Sequence, residues 1–346
     1  MISRVATAAL AVALGAAGCA QPVEAPHPAH RERPGLTATA ATMAAPLADR
    51  LDGAVERVMA EAGIPGAIIG IWTPDGDYVR AFGVADKKTR APMKTDLYSR
   101  IGSLTRTFTV TAVLLLADQR KLGLDDPIAE HLDGIPGGEA VTLRQLAGMR
   151  SGLPDYTTNP EFVSAAFADP ARAFTPAQLL ELAFSAPTVF APGAGYHHSN
   201  TDTVLLGLVV EKVSGQSLAG YIREHISAPL GMEATSFPTD ASFPRPHAAG
   251  YTVQTPDDGE TTATDWNPSR SWAAGNMVST LHDMRIWAPA LANGTLQCVS
   301  VHLPGRQTTL VIMTNTDIAF RGAQPSALLA TAVTAELTPD HVYRTD

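Results

Sequence analysis

Ser103 stands at the head of a long apolar run, in Tyr98-Ser99-Arg100-Ile101-Gly102-Ser103-Leu104-Thr105-Arg106 followed by Thr107 and FTVTAVLLL. A serine opening a helix lies among backbone N–H groups that lack intrahelical partners, at the positive end of the helix dipole. Negative charge developing on an attacked carbonyl oxygen is stabilised there. Spacing i+3 sets Arg106 on the same helical face. Arginine stays protonated at any working pH, so Arg106 can hold charge and orient groups but cannot take the serine's proton. Histidine can, with an unperturbed pKa near 6.5, and His198-Ser199-Asn200 stands in a loop before another helical run. The chemistry these types permit is nucleophilic: Ser103 attacks, His198 accepts its proton, and Arg106 is a fixed positive charge that keeps the imidazole neutral. Each residue also has a plainer reading. Ser103 is an N-cap, Ser199 and Asn200 cap the helix starting at Thr201, and His198 is a loop histidine.

The helices that would position these groups are readable. From Phe108 to Ala117 nearly every side chain is apolar with no polar face at helical spacing, which predicts a helix buried on all sides. Leu51 to Ala62 has helical periodicity ended by Gly63-Ile64-Pro65-Gly66. Two short apolar runs, Ala67–Trp72 and Tyr78–Val84, flank the turn residues Thr73-Pro74-Asp75-Gly76-Asp77 and predict a hairpin. Further helices are expected over Thr142–Met149, Thr175–Phe184 (Thr175 as cap, Pro176 first), Thr201–Val213, Ser217–Ile226, Leu281–Asn293 and Ser326–Leu337. Pro289 should kink its helix. Phe237–Pro268 reads as loop, Trp272–Thr280 as strand or turn, and Val299–Leu303 with Thr308–Thr314 as a hairpin about Pro304-Gly305-Arg306. Strands at both ends with helices between them predict an α+β class: an antiparallel sheet flanked by terminal helices, plus a helical insertion lobe.

The N-terminal stretch follows a different rule. Met1–Ala20 has a basic Arg4, an apolar Val5–Ala17 and small residues after it, the pattern of an export signal. Ala16-Ala17-Gly18-Cys19 resembles a lipoprotein box with Cys19 as the lipidated residue; cleavage after small residues fits as well. Residues 21–46, rich in Pro, Ala, Thr and His, read as a linker, which leaves 47–346 as the folded domain. The expected setting is periplasm or cell surface, with membrane contact only through an N-terminal lipid. Beyond the signal no apolar run reaches the ~18 residues of a membrane span.

With 25 Lys+Arg against 34 Asp+Glu, the net charge of −9 argues against non-specific nucleic-acid binding. With Cys19 lipidated or removed, Cys298 has no disulfide partner, and nothing beside it would activate a thiol. His225, His247 and His282 lack metal-ligand spacing, and neither metal nor cofactor is expected.

The segment RIGSLTR with the following KLGLDDPIAEHL, the RSGLPDY segment at Arg150–Tyr156, and EKVSGQSLAGYIREHISAPLGMEATSF together resemble the serine beta-lactamase and penicillin-binding family, in its class C beta-lactamase, DD-carboxypeptidase and esterase branch. The resemblance covers about Leu51–Leu296 and resumes near Val299. It implies the same α+β, beta-lactamase/transpeptidase-like fold, an active site between the two lobes, and acyl transfer through Ser103 to water. The implied substrates are D-Ala peptides of the cell wall, beta-lactams or small esters. The family's Ser-x-x-Lys reads Ser103-Leu104-Thr105-Arg106 here, and its Tyr-x-Asn reads His198-Ser199-Asn200, which implies Asn200 as a ligand for a substrate carbonyl or amide. Its Lys-Thr-Gly or His-x-Gly strand has no good match: His302-Leu303-Pro304-Gly305 is one residue too long and Pro304 cannot donate. The domain is shortened near 297. A catalytically silent relative that binds cell-wall peptide or a protein partner in the same cleft is the competing reading.

Overall fold

The computed structural model describes residues 41–255, 259–292, 300–303 and 307–344. In chain order its strands are β1 Gly66–Thr73, β2 Gly76–Gly83, the two-residue β3 Ser99–Arg100, β4 Tyr251–Thr252, β5 Thr261–Thr262 and β6 Val278–Ser279, then β7 Ser300–Leu303 and β8 Thr308–Thr314. Its helices are α1 Ala45–Ala62, α2 Thr105–Asp118, α3 Leu143–Ala147, α4 Pro160–Ala168, α5 Pro176–Phe184, α6 Asn200–Ser214, α7 Leu218–Ile222, α8 Ala228–Leu230, α9 Leu281–Ala292 and α10 Pro325–Leu337.

The main sheet is antiparallel with order β2-β1-β8-β7. Its centre is buried on both faces, so β1 and β8 read as continuous apolar runs, and the pleat divides their side chains between two cores. Ile69, Ile71, Leu310 and Ile312 pack with Leu51 and Val55 of α1 and Leu329 and Val333 of α10. Ile68, Trp72, Val311 and Met313 face the other way, into a core shared with α2, α6 and α9. The expected α+β arrangement of sheet, terminal helices and helical lobe is therefore the one observed, and it places β8 between the two layers.

Several elements differ from the sequence reading. Residues assigned to a linker up to 46 already belong to the domain: Met43 is buried and its N–H donates to Asp77 O at 3.0 Å, while α1 starts at Ala45. Helix α2 is not buried all round, because Leu114 is exposed and Thr111 and Leu115 only half-buried. An apolar side chain on a partly exposed face leaves no polar mark in the sequence. Helix α4 was not foreseen, although Asn159 caps it with its side-chain oxygen and Pro160 opens it. The run after α7 continues as a π-turn through Arg223–Ser227 into α8 and stops only at Gly231, in the left-handed conformation. Helix α9 does contain Pro289, as read from the sequence. β7 and β8 pair as expected, His302 opposite Thr309; their turn at 304–306, the signal, most of the linker, Cys19 and Cys298 lie outside the described residues.

Candidate active site

Ser103 sits on a 3-10 turn, Gly102–Leu104, that runs directly into α2. Gly102 has φ +50°, a left-handed backbone that turns the chain from β3 into the helix and that a residue with a Cβ adopts only with strain. The turn is clamped from the segment before α9. β3 pairs with β6, Ile101 N–H donates to Met277 O at 3.0 Å, and Met277 N–H donates to Thr105 Oγ1 at 3.1 Å. One turn further, Trp287 stacks on Phe108 with centroids 3.9 Å apart and donates its indole N–H to Thr107 Oγ1 at 2.9 Å. The start of α2 is thus fixed by side chains about 180 residues away in the chain.

His198 and Asn200 come from the start of α6. Ser199 is its N-cap, so the capping reading holds for that residue. Asn200 is the first helical residue and its side chain points elsewhere: Arg106 Nη2 donates to Asn200 Oδ1 at 2.6 Å, and Asn200 Nδ2 donates to Asp155 Oδ2 at 2.9 Å. Arg106 Nη1 donates to His198 Nε2. A guanidinium has no lone pair, so Nε2 must be the acceptor, which leaves the ring neutral with its proton on Nδ1. Nδ1 faces Asp155 Oδ2 at 3.9 Å. Burial first, and then the Arg106 charge, hold the His198 pKa below its ordinary value, while Asp155 pulls it partly back. Ser103, Arg106, His198 and Asn200 all line one cavity of about 740 Å³ at the junction of the helical lobe with the sheet layer, lined on the sheet side by Thr314 at the end of β8 and by Asn315, Thr316 and Asp317 after it.

Asp155 is the residue that sequence reasoning passed over. It lies in Arg150–Tyr156, read only as a resembling segment, yet its buried carboxylate accepts from Asn200 and from Thr157 N–H at 3.1 Å. Thr201 holds that segment in place, donating to Pro154 O at 2.7 Å and accepting from Tyr156 N–H at 3.1 Å. The loop carrying His198 is tied to the same segment through Arg150 Nη2 to Gly193 O at 2.8 Å and His197 N–H to Met149 O at 3.0 Å.

A family model described as Beta-lactamase matches residues 51–301. The chain belongs to the beta-lactamase family. This is a family of serine hydrolases of beta-lactamase, penicillin-binding, esterase and D-aminopeptidase type, as the matched relatives' names reflect. Penicillin-binding protein 4* of Bacillus subtilis is 33% identical over 162 residues, 46% of this chain and 34% of that one. Esterase EstB of Burkholderia gladioli is 33% identical over 207 residues, 56% of this chain and 52% of that one. The chain thus spans between a third and about half of these curated relatives. Among solved structures, a D-stereospecific amidohydrolase from Streptomyces sp. superposes with a TM-score of 0.71 at 25% identity, covering 84% of this chain and 98% of that one. The beta-lactamase/transpeptidase-like fold expected from the motifs is therefore the fold of this chain. Within that family pattern, Arg106 and His198 stand where the resemblance has lysine and tyrosine, and the two departures are in direct contact with each other.

Proposed function

We propose that this chain is an acyl-transfer hydrolase in which Ser103 Oγ attacks an ester or amide carbonyl. His198 takes the serine's proton and returns it to the departing alcohol or amine. Water then cleaves the ester formed on Ser103. Arg106 supplies a fixed positive charge near the developing oxyanion, and Asn200 binds the substrate's carbonyl or amide. The observation that carries this reading is the convergence of Ser103, Arg106, His198 and Asn200, drawn from two distant segments, on one cavity. Nε2 of His198 accepts from Arg106, so proton pick-up requires the ring to exchange that donor for Ser103 Oγ. Candidate substrates follow the chemistry in the relatives' names: D-amino amides, beta-lactams and small esters. The signal-like Met1–Ala20 supports a place outside the cytoplasm, with Cys19 as a lipid attachment point.

A second reading, binding of such a substrate without turnover, is favoured by the same contact: a base whose lone pair is held by an arginine is not poised to accept a proton. Intact-mass spectrometry after treatment with a fluorophosphonate and, separately, a penicillin separates the two. An adduct lost in both Ser103→Ala and His198→Ala supports the Ser-His mechanism. An adduct lost only in Ser103→Ala keeps the nucleophile and removes His198 as base. Absence of any adduct supports the binding protein.

A further inference from the structure

A second cavity, of about 330 Å³, shares no lining residue with the one that holds Ser103. It lies between α7 with the π-turn that follows it and the segment Thr235-Ser236-Phe237, and Met277 lines it as well. Ile222 and Met277, both buried, and half-buried Phe237 give it an apolar wall. Two of its polar side chains already have partners: Ser217 Oγ accepts from Gly220 N–H at 3.1 Å, and Thr235 Oγ1 donates to Asp283 Oδ2 at 2.7 Å. Two others do not. Ser227 is only 3% exposed, yet its hydroxyl bonds no described residue, and neither does the guanidinium of the exposed Arg223. These two residues are the ends of the π-turn Arg223–Ser227, a helical irregularity that often marks a functional site.

A buried hydroxyl without a partner is unfavourable, and a ligand that supplies an acceptor removes the penalty. A guanidinium only donates and a serine can donate, so the two unengaged groups together suit an acceptor-only carboxylate, while the opposite wall suits hydrocarbon. The cavity is also joined to the nucleophile's turn. Ser236 and Val278 exchange N–H···O bonds at 2.9 and 3.0 Å, and Val278 pairs with Arg100 of β3. Met277 accepts from Ile101 N–H at 3.0 Å and donates its own N–H to Thr105 Oγ1 at 3.1 Å. One backbone ladder therefore runs from the cavity wall to both sides of Gly102-Ser103-Leu104.

We propose that this second cavity is an effector site for a small carboxylic acid with an apolar body. The carboxylate meets Arg223 and the Ser227 hydroxyl, the apolar part lies against Ile222, Phe237 and Met277, and the occupant stiffens the ladder behind Ser103. The assignment does not depend on whether Ser103 turns a substrate over. Isothermal titration of the full chain with sodium benzoate and with benzyl alcohol compares an acid with a neutral molecule of similar size. Benzoate is expected to bind at least about tenfold tighter than the alcohol, and Arg223→Gln to remove most of that difference. Ser227→Ala is expected to weaken benzoate about fivefold, the worth of one hydrogen bond. With benzoate bound, amide exchange at Ile101 and Val278 should slow at least about threefold, since a filled wall resists local opening. Absence of heat, equal binding of acid and alcohol, or undiminished benzoate binding in either variant overturns the proposal. So does unchanged exchange at saturating benzoate. Circular dichroism establishes that the variants fold, and the titrations and exchange on the unaltered chain stand even if one does not. Failure of the fluorophosphonate to label Ser103 counts against the hydrolase reading alone, because neither readout uses it.

Discussion

The contact between Arg106 and His198 makes the protonation of the site a question of three charges. The neutral imidazole is the form that can accept a proton, and burial and Arg106 both favour it, while Asp155 opposes them. The rate of Ser103 labelling by a fluorophosphonate should therefore reach half its plateau below pH 6.5, the ordinary imidazole value. Arg106→Gln removes a positive neighbour, so the midpoint should move up. Asp155→Asn removes a negative one, so it should move down. A profile unmoved in both variants would show that His198 is not the titrating group. Replacing His198 by Ala should slow labelling by about 10² to 10⁴, the usual contribution of a positioned base. Asp155 also anchors Asn200, so labelling in Asp155→Asn should be slower at every pH as well as shifted. Of these residues, Ser103, Arg106, His198 and Asn200 were readable as candidates because they stand at the positions of two motifs that the resemblance supplies, each at a helix start. Asp155 was not, because the partner that gives it a place in the site, Asn200, comes from another element.

At the scale of elements, the turn before α2 and the first turn of α6 each make a prediction. Gly102 at φ +50° has no atom within 4 Å of where a Cβ would stand, so Gly102→Ala meets only backbone strain, about 1 to 2 kcal/mol. Gly134, at φ +74° and equally free of neighbours, is the control. Both alanine variants should lose similar stability in urea, but only Gly102→Ala should slow labelling, because only that turn carries Ser103. In α6, Asp202 is fully buried; Ser151 Oγ donates to its Oδ1 at 2.6 Å, and Oδ2 has no partner. Burial raises its carboxyl pKa from 3.8 to about 7. Between those values the folded chain keeps a proton that the unfolded chain has released, so this group's contribution to stability is full below about pH 4 and is lost as pH rises to about 7. Asp202→Asn keeps an acceptor for Ser151 and cannot ionise. Calorimetry should show its melting temperature raised over the parent at pH 8, with little difference at pH 4; a rise that is equal at both would rule out titration of Asp202. The helices themselves were mostly recognisable from caps and periodicity, as at Thr175-Pro176. The two-residue pairing of β3 with β6 was not, since it depends on a clamp across the chain and on no local pattern.

For the molecule as a whole, the sheet separates two cores, and the cavity belongs to only one of them. Leu329 lies in the core between α10 and the sheet, across from the cavity. Leu329→Ala should cost about 2 to 5 kcal/mol, read from urea midpoints, while the labelling rate of the folded fraction stays within about twofold. Trp287→Ala, on the other side, should cost a similar amount and also slow labelling, because Trp287 stacks under α2 and bonds Thr107. The amino-acid sequence by itself determined the fold class, the hairpin of β1 and β2, most helices and four candidate site residues. The elements follow from turn chemistry, capping and periodicity, which act over a few residues, and the site candidates from short motifs that resemble the family's. Only the tertiary structure decided that Arg106 bonds His198 and Asn200 and that Asp155 anchors Asn200. Each of these is a contact between segments tens of residues apart, and its geometry is set by how those segments pack in the folded chain.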